Sequence, residues 1–545
     1  MTSQPPADQC ARVAHLQAWL AAQEGGPVAC IETHISWVLL TPQHAYKLKK
    51  AVDLGFIDQR SLASRRLACE EELRLNRRTA PTLYLGVVGV SDAGEWMPLG
   101  ASPDPLGAAA DFAVCMRRFD PAQTLDRLIA SDPPGAHSAQ PWAAHIDELV
   151  DQVVALHASA QVVRDAGSGL LADLHAATGE APAQWLSLAH DAAERVQLQG
   201  IVAWLQAQEA AHEPLCRSRR EAGFVRELHG DLHLGNVCLF EGRVTVFDGI
   251  EFSVALRTLD VMNDLAFLLM DLHARGADAL AWRALSRYLD ATGDHAGLPL
   301  LPMCMLWRAL VRFKVARLRG QDGRALLALC ERLMRPALPA LVLMHGVSGC
   351  GKTAVSQGLL GVWGAVRLRS DVERARTPQA AGAGVPSTAG RYAVPQVEAV
   401  YARLRALAEA ALQAGQRVIL DATFLDAAQR QAAIAVAERQ GCPWAIVHVQ
   451  APMDVMRARL AARRGQGDAS EADESVLAHQ WAQHGDGWAG LSAPEQARSV
   501  RCDTTRPLSH WHSPEAWAPL WDWVGAPLPG SVCGAGLAPD VPPQG

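Results

Sequence analysis

Apolar positions change period several times along the first part of the chain. Between Ala7 and Gln23, Val13, Leu16, Trp19 and Leu20 recur at helical spacing, and Gly25-Gly26-Pro27 ends that pattern. Short strand-like runs follow at Val28–Glu32, Trp37–Leu40 and His44–Lys50, with Thr41-Pro42-Gln43 as the turn between the last two. Ser61 to Arg78 reads as a long charged helix. Leu83–Val90 and Phe112–Arg118 read as strands, separated by a Gly/Pro/Asp/Ser loop over Ser91 to Ala110. From Pro121 to about Arg220 the pattern is mostly helical, with breaks at Asp132-Pro133-Pro134-Gly135 and near Gly167-Ser168-Gly169. Helical spacing returns from Asp260 to about Leu333, where Leu265, Leu268, Leu269 and Leu272 fall on the inward face.

A stretch with two prolines, Met334 to Ala340, is the natural boundary. Beyond it strands alternate with helices. Leu341–Met344, Val366–Asp371, Arg417–Asp421, Trp444–Gln450 and Val500–Thr504 are the strand-like runs. Helical patterns follow Thr353, span Val394–Ala414 and Ala427–Gln440, and start again after Pro452-Met453-Asp454. Thr377–Gly390, rich in Ala, Gly and Pro, reads as a mobile loop over an acceptor site, and the Pro/Gly-rich residues beyond Val524 as a disordered tail.

Composition narrows the class. A chain of 545 residues is too long for one ordinary domain, and 49% apolar residues with 20% charged residues support sizeable cores. The net charge of −7 offers no electrostatic footprint for long nucleic acid or an anionic membrane. The 12 cysteines are scattered without C-x-x-C or zinc-type spacing, which predicts reduced, buried thiols in a cytosolic protein. Met1–Gln9 is polar and lacks an apolar signal region, and no uninterrupted apolar run is long enough to span a bilayer. The expected location is cytoplasmic.

Two stretches carry phosphate chemistry. Gly346-Val347-Ser348-Gly349-Cys350-Gly351-Lys352-Thr353 fits the P-loop pattern and lies between a strand and a helix. Glycines let backbone N–H groups converge on phosphate oxygens, and the helix N-terminus adds a favourable dipole. Lys352 is placed to reach the β- and γ-phosphates of ATP, and Thr353 to hold Mg²⁺. Arg417-Val418-Ile419-Leu420-Asp421 is Walker-B-like, with the terminal carboxylate supporting Mg²⁺. The second stretch runs from His229 to Asn236 and is followed by a hairpin ending at Asp248-Gly249. This is a protein-kinase arrangement in skeleton: Asp231 as base, Asn236 and Asp248 as Mg²⁺ ligands. Lys47 and Lys49 share one face of a strand, since side chains alternate; by themselves they also fit a solvated basic edge.

His229–Asn236 resembles the catalytic loop of aminoglycoside phosphotransferases and related small-molecule kinases. The whole chain resembles the bacterial bifunctional aminoglycoside phosphotransferase/ATP-binding protein family. The stretches carrying this are Glu32–Trp37, Ala45–Lys50, Cys69–Glu72, Leu83–Val87, Met116–Phe119 and Asp260–Asp271. The resemblance implies a two-domain chain: an α+β, protein-kinase-like bilobal domain of aminoglycoside phosphotransferase type, then an α/β P-loop NTPase domain with a parallel sheet. Its implied limits are an N-lobe over 1–120, a helical C-lobe over 121–335, the P-loop domain over 336–524 and a tail over 525–545. It makes Lys47 the phosphate-pairing lysine, with Lys49 as the alternative, and Glu72 its helix partner, with Glu71 as the alternative. His229 then braces the loop, Asp260 and Asp264 are structural, and His233 is a further option as metal ligand. One departure stands out: Thr33-His34-Ile35-Ser36 contains no glycine, where protein kinases use a Gly-rich loop.

The second half resembles gluconate-kinase, polynucleotide-kinase and zeta-toxin-type P-loop kinases. That likeness makes Asp371 a candidate base and Arg369 a substrate or phosphate contact, although Ser370 and Asp371 also suit a helix N-cap. Arg457, Arg459, Arg463 and Arg464 fall where adenylate-kinase-like enzymes carry a lid that closes on the triphosphate; they also fit a solvated basic helix. The expected function is ATP- and Mg²⁺-dependent phosphoryl transfer to a small-molecule hydroxyl at two nucleotide sites. A non-catalytic ATP-sensing first half and a nucleic-acid-end kinase are the alternatives.

Overall fold

Six strands near the N-terminus build one antiparallel sheet. They are β1 (Ala29–Glu32), β2 (Ser36–Leu40), β3 (His44–Lys49), β4 (Tyr84–Val90), β5 (Trp96–Met97) and β6 (Asp111–Arg117), in the order β1-β2-β3-β6-β4-β5. The computed structural model describes residues 4–54, 57–97, 109–131, 140–165, 182–335, 338–376, 394–463 and 473–526. Strand pleating sorts β3 into two faces. Tyr46 and Leu48 enter an apolar cluster with Val13, Leu16 and Leu20 of the Ala7–Glu24 helix. Lys47 and Lys49 point the other way, toward the Leu62–Asn76 helix. That helix starts where Ser61 Oγ accepts the Ser64 N–H at 3.0 Å, and it carries Glu72 inward.

The next part is helical apart from two small ribbons. In one, β7 (Val225–Glu227) pairs with β10 (Thr258–Asp260); in the other, β8 (Val237–Phe240) pairs with β9 (Arg243–Val246). Its central helix, Val261–Ala274, is buried from Val261 through Leu272. Asp260 caps that helix by accepting the Met262 N–H at 2.9 Å. Arg219 grips Asp260 at 2.8 and 2.9 Å and Asp294 at 2.6 and 2.7 Å, so Asp260 serves the packing of the lobe. The stretch His295–Leu318 is long and apolar enough by average composition to cross a membrane, although charged residues interrupt it, but 72% of its most apolar window is buried in the protein. It packs as a core helix.

The last part is a parallel sheet of β11 (Ala340–His345), β12 (Val366–Arg369), β13 (Arg417–Asp421), β14 (Trp444–Gln450) and β15 (Ser499–Asp503), in the order β12-β13-β11-β14-β15. Its central strand β11 is buried at every position, as a parallel strand covered on both faces requires. Strand β12 ends at Arg369. Asp371 is therefore not at a strand end but in the first turn of the Ser370–Arg376 helix. The described residues thus form an antiparallel-sheet lobe, a helical lobe and an α/β part whose parallel sheet carries the P-loop motif. The Thr377–Gly390 loop, the tail beyond Ala526 and the breaks at Asp132–Gly135 and Gly167–Gly169 lie outside the described residues.

In the register of β11 and β14, His345 stands opposite His448, with their Nδ1 atoms 2.8 Å apart. Burial lowers both imidazoles, His448 to about 4 and His345 to about 2, so both are neutral in the folded chain. An unfolded imidazole titrates near about 6.5. The unfolded state thus binds more protons below that value, and folding stability falls as pH drops from about 6.5 toward 4. Urea unfolding at pH 7 and pH 5 should show this loss, and the His345→Asn/His448→Asn double variant should show a smaller one.

The two domains share packing. The apolar cluster that fills the helical lobe runs on through Leu341, Leu343, Val418 and Ile446 of the parallel sheet. The Asp278–Thr292 helix of the first domain lies against the Lys352–Trp363 helix of the second, with Trp282 packed against both apolar clusters. The approach is close at Gly364 (φ 73°), where an added Cβ would come within 2.8 Å of Trp282 Nε1.

Candidate functional site

The first site lies where the N-terminal sheet meets the helical lobe. Lys47 Nζ is 2.7 Å from Asp248 Oδ1 and 2.9 Å from Glu72 Oε1. Lys49 Nζ is 2.5 Å from Glu72 Oε2 and also binds Glu251. Glu72 thus bridges the two lysines, but only Lys47 reaches the Asp248 carboxylate. Glu71 turns outward to Arg74 and Arg257. Burial works against the charges of Lys47 and Glu72; at Lys47 the Asp248 and Glu72 carboxylates outweigh it and raise the lysine, and at Glu72 the Lys47 and Lys49 ammoniums outweigh it and lower the acid.

This pairing yields a test. Lys49 and Glu72 are fully enclosed, so Lys49→Met leaves two buried carboxylates sharing one cation. It should cost about 3–5 kcal/mol of stability in urea unfolding. Lys47→Met, at a position with 14% side-chain exposure, should instead spare the fold better and strike nucleotide use. The comparison assigns the lysine roles.

Asp231 and Asn236 lie on the loop between β7 and β8. Asn236 Nδ2 donates to the Asp231 carbonyl and to Asp231 Oδ2, both at 2.9 Å. His229 is held on both ring nitrogens: Nε2 lies 2.9 Å from the Phe247 carbonyl, and Nδ1 accepts the Asp231 N–H at 3.3 Å. Burial lowers its imidazole, and a neutral ring satisfies both contacts, which is the placement of a brace. His233 Nδ1 accepts the Gly235 N–H at 3.1 Å, and its Nε2 lies 3.4 Å from Asp231 Oδ2. Burial pushes the Asp231 carboxyl up, but the His233 imidazole beside it outweighs that and holds Asp231 well below the usual carboxylate range.

The loop is anchored from below. Asp264 accepts the Gly230 N–H at 2.9 Å, Asp271 accepts the Leu234 N–H at 2.9 Å, and Arg308 donates to the Gly230 carbonyl at 2.9 Å. Asp248 sits in a left-handed conformation (φ 60°), with its N–H donated to Tyr84 Oη at 3.2 Å.

The second site is the turn between β11 and the Lys352–Trp363 helix. At Gly346 (φ 137°) a Cβ would sit 2.4 Å from the Val449 carbonyl oxygen, so the turn requires glycine there. Lys352 Nζ arches back to donate to the carbonyls of Gly346 (3.0 Å) and Val347 (2.9 Å). Cys350 is buried beneath the loop, and Ser348 donates its N–H to Gln480 Oε1 at 2.8 Å. Asp421 closes β13 and accepts from Ser356 Oγ at 3.0 Å. Arg367 donates to that same Ser356 Oγ and to the Thr353 carbonyl, both at 3.3 Å.

A cavity of about 1180 Å³ opens over this turn. Lys352, Thr353, Asp371 and Asp421 line it from the P-loop domain, and Arg283, Arg287 and Asp290 from the first domain. Asp371 pairs with Arg374 at 2.7 Å on the chamber wall.

The arginines sort differently from the sequence expectation. Arg459 lines the chamber and ties Thr504 to the Cys350 carbonyl, donating at 2.8 Å and 3.3 Å. Arg457 points to Glu474 at 3.0 Å, with more than half its side chain exposed, and is not part of the chamber wall. Alternate faces of one helix separate them. The side chain of Arg463 and all of Arg464 lie outside the described residues.

Residues 341–485 match a protein-family profile described as an AAA domain. An uncharacterized protein of Mycobacterium tuberculosis is 29% identical over 488 residues, spanning 86% of this chain and 93% of the relative. Among solved structures, a sugar kinase from Janibacter sp. HTCC2649 is 22% identical over 33% of this chain and 94% of its own, with a TM-score of 0.25. A choline/ethanolamine kinase family protein from Mesorhizobium loti is 15% identical over 59% of this chain and 95% of its own, with a TM-score of 0.33. The family profile falls on the part of the chain that carries the P-loop motif.

Several residues at these sites escape a linear reading. Arg367 carried a signal, since it shares a strand face with Arg369 at i, i+2 spacing. Ser356 lies one helical turn beyond Thr353. Glu251, Gln480 and Asp290 carried none.

Proposed function

We propose that the chain is an ATP-dependent phosphotransferase with two nucleotide sites, each transferring the γ-phosphate to a hydroxyl of a small molecule. The observation that supports it most is the convergence at the first site. Lys47 spans Glu72 and Asp248, while the adjacent loop presents Asp231 and Asn236. Phosphoryl transfer needs those parts: a cation on the phosphates, oxygen ligands for Mg²⁺, and a carboxylate to take the hydroxyl proton.

The donor sets suit the metal. Asn236 with Asp248, and Thr353 with Asp421, are sparse oxygen sets, and Mg²⁺ keeps its remaining positions for water and phosphate. Bound there, the ion would neutralise charge on the transferring phosphoryl group. At the first site Lys47 orients the phosphates, and Asp231, ionised because His233 holds its carboxyl low, accepts the acceptor's proton. At the second, Lys352 and the loop N–H groups hold the phosphates, and Asp371 faces the acceptor across the chamber. An acceptor of modest size fits a cavity of this volume.

The test is transfer from γ-labelled ATP to a panel of sugars, aminoglycosides, nucleosides and RNA ends, with and without Mg²⁺. Metal-dependent labelling of a small hydroxyl compound is the expected result. Labelling of RNA ends alone would replace the small-molecule reading, and absence of any transfer would leave an ATP-binding protein.

A further inference from the structure

Asp290 belongs to the first domain but faces the second. It lies in the last turn of the Asp278–Thr292 helix, with Oδ2 3.7 Å from Arg367 Nη2 and 3.5 Å from Arg369 Nη1. The helix end is clamped from the same side: Arg376 donates to the carbonyls of Leu289 (3.1 Å) and Asp290. A cation at a helix C-terminus meets unsatisfied carbonyls and the negative end of the dipole. From inside its own domain, Tyr288 Oη lies 2.9 Å from His157 Nδ1, and His157 Nε2 lies 3.2 Å from Asp264, the acid that receives the Gly230 N–H. The helix turn that carries Asp290 is therefore tied to both domains, while its carboxylate faces Arg367 and Arg369 of the second.

Of the two arginines that Asp290 faces, Arg367 leads to the P-loop. Its side chain is 6% exposed. A guanidinium so enclosed needs carboxylates nearby, and Asp421 and Asp290 are the acids that favour its charge. One of its nitrogens bonds the Thr353 carbonyl and Ser356 Oγ, and Ser356 in turn donates to Asp421. A single buried cation thus joins the backbone of Thr353, whose hydroxyl is assigned to the P-loop metal, through Ser356 to the Asp421 carboxylate. Groups that orient ligands in this way set metal affinity by about 10–100-fold in other sites.

We infer that Asp290 is a positioning residue of the P-loop metal site: by holding Arg367 it fixes the Thr353 backbone and, through Ser356, the Asp421 carboxylate, so the site is complete only with the first domain in place. The inference rests on reading Gly346–Thr353 and Asp421 as the ATP·Mg²⁺ site.

The experiment is equilibrium binding of a fluorescent ATP analogue to the full chain, titrated with Mg²⁺, scoring the component that Lys352→Ala removes. Asp290→Asn should raise the Mg²⁺ concentration needed for half-maximal effect by about 5–50-fold, while metal-free nucleotide binding in EDTA changes by less than about twofold. Arg367→Met should produce the same shift, and the double variant should add little to it. Asp290→Glu, which keeps the charge, should recover part of the loss. An unchanged Mg²⁺ requirement in Asp290→Asn would overturn the inference. So would equal losses with and without metal, which mark a merely structural contact. Absence of Lys352-dependent binding in the unsubstituted chain would overturn the P-loop reading itself, and this inference with it.

Discussion

Asp231→Asn will lower phosphoryl transfer at the first site by about 100-fold or more, at an unchanged fold. The substitution is isosteric. Asn236 keeps its bond to the residue-231 carbonyl, and the Asp264, Asp271 and Arg308 anchors of the loop do not involve the side chain. What is lost is the only carboxylate on that loop able to accept a hydroxyl proton. The pH dependence follows from the same contacts. Because His233 holds the Asp231 carboxyl well below the usual range, its ionised form persists as pH falls from 8 to 5. An acid limb assigned to Asp231 should therefore lie below that window. Steady-state labelling of the acceptor checks both statements. Turnover equal to that of the unsubstituted chain would make the first half a nucleotide sensor rather than an enzyme.

Lys352→Ala will abolish the second activity, again by about 100-fold or more, and leave the Asp231-dependent one intact. The ammonium is the arch of the loop as well as its charge, since it binds the Gly346 and Val347 carbonyls. Removing it loosens the turn and deletes the cation that meets the phosphates. Among the described residues no hydrogen bond joins the Asp231 loop to Lys352, so their losses should be independent in the Asp231→Asn/Lys352→Ala double variant. Acceptor labelling with each single variant checks this. Loss of both activities in either one would overturn the two-site reading.

Much of the architecture was legible in the linear pattern. The helix expected from Ala7 to Gln23 spans Ala7–Glu24, and the run Arg417–Asp421 is a strand over those same residues. Such elements follow from short-range spacing and turn residues, which the chain carries locally. Strand β12 read too long because Ser370 and Asp371 suit a helix start as well as a strand end, and the helix prevails. The apolar stretch His295–Leu318 did not stand out because its arginines and prolines interrupt it, although a window average passes for a membrane span.

The motifs on which the proposed phosphate chemistry rests belong to the sequence alone. The P-loop, the Asp231/Asn236 loop and the carboxylate closing β13 are motifs whose residues sit within a few positions of one another, so backbone geometry brings them together. Pairings across the chain belong to the tertiary structure. Lys47 and Lys49 are equivalent by strand alternation, and only the docking of Asp248, 201 residues away, separates them. Arg457 and Arg459 look alike in the lid helix, and only the helix's rotation against Thr504 puts Arg459 in the chamber. Asp290 had no local signature at all; its place depends on the packing of one domain's helix against the other's, which spacing along the chain does not encode.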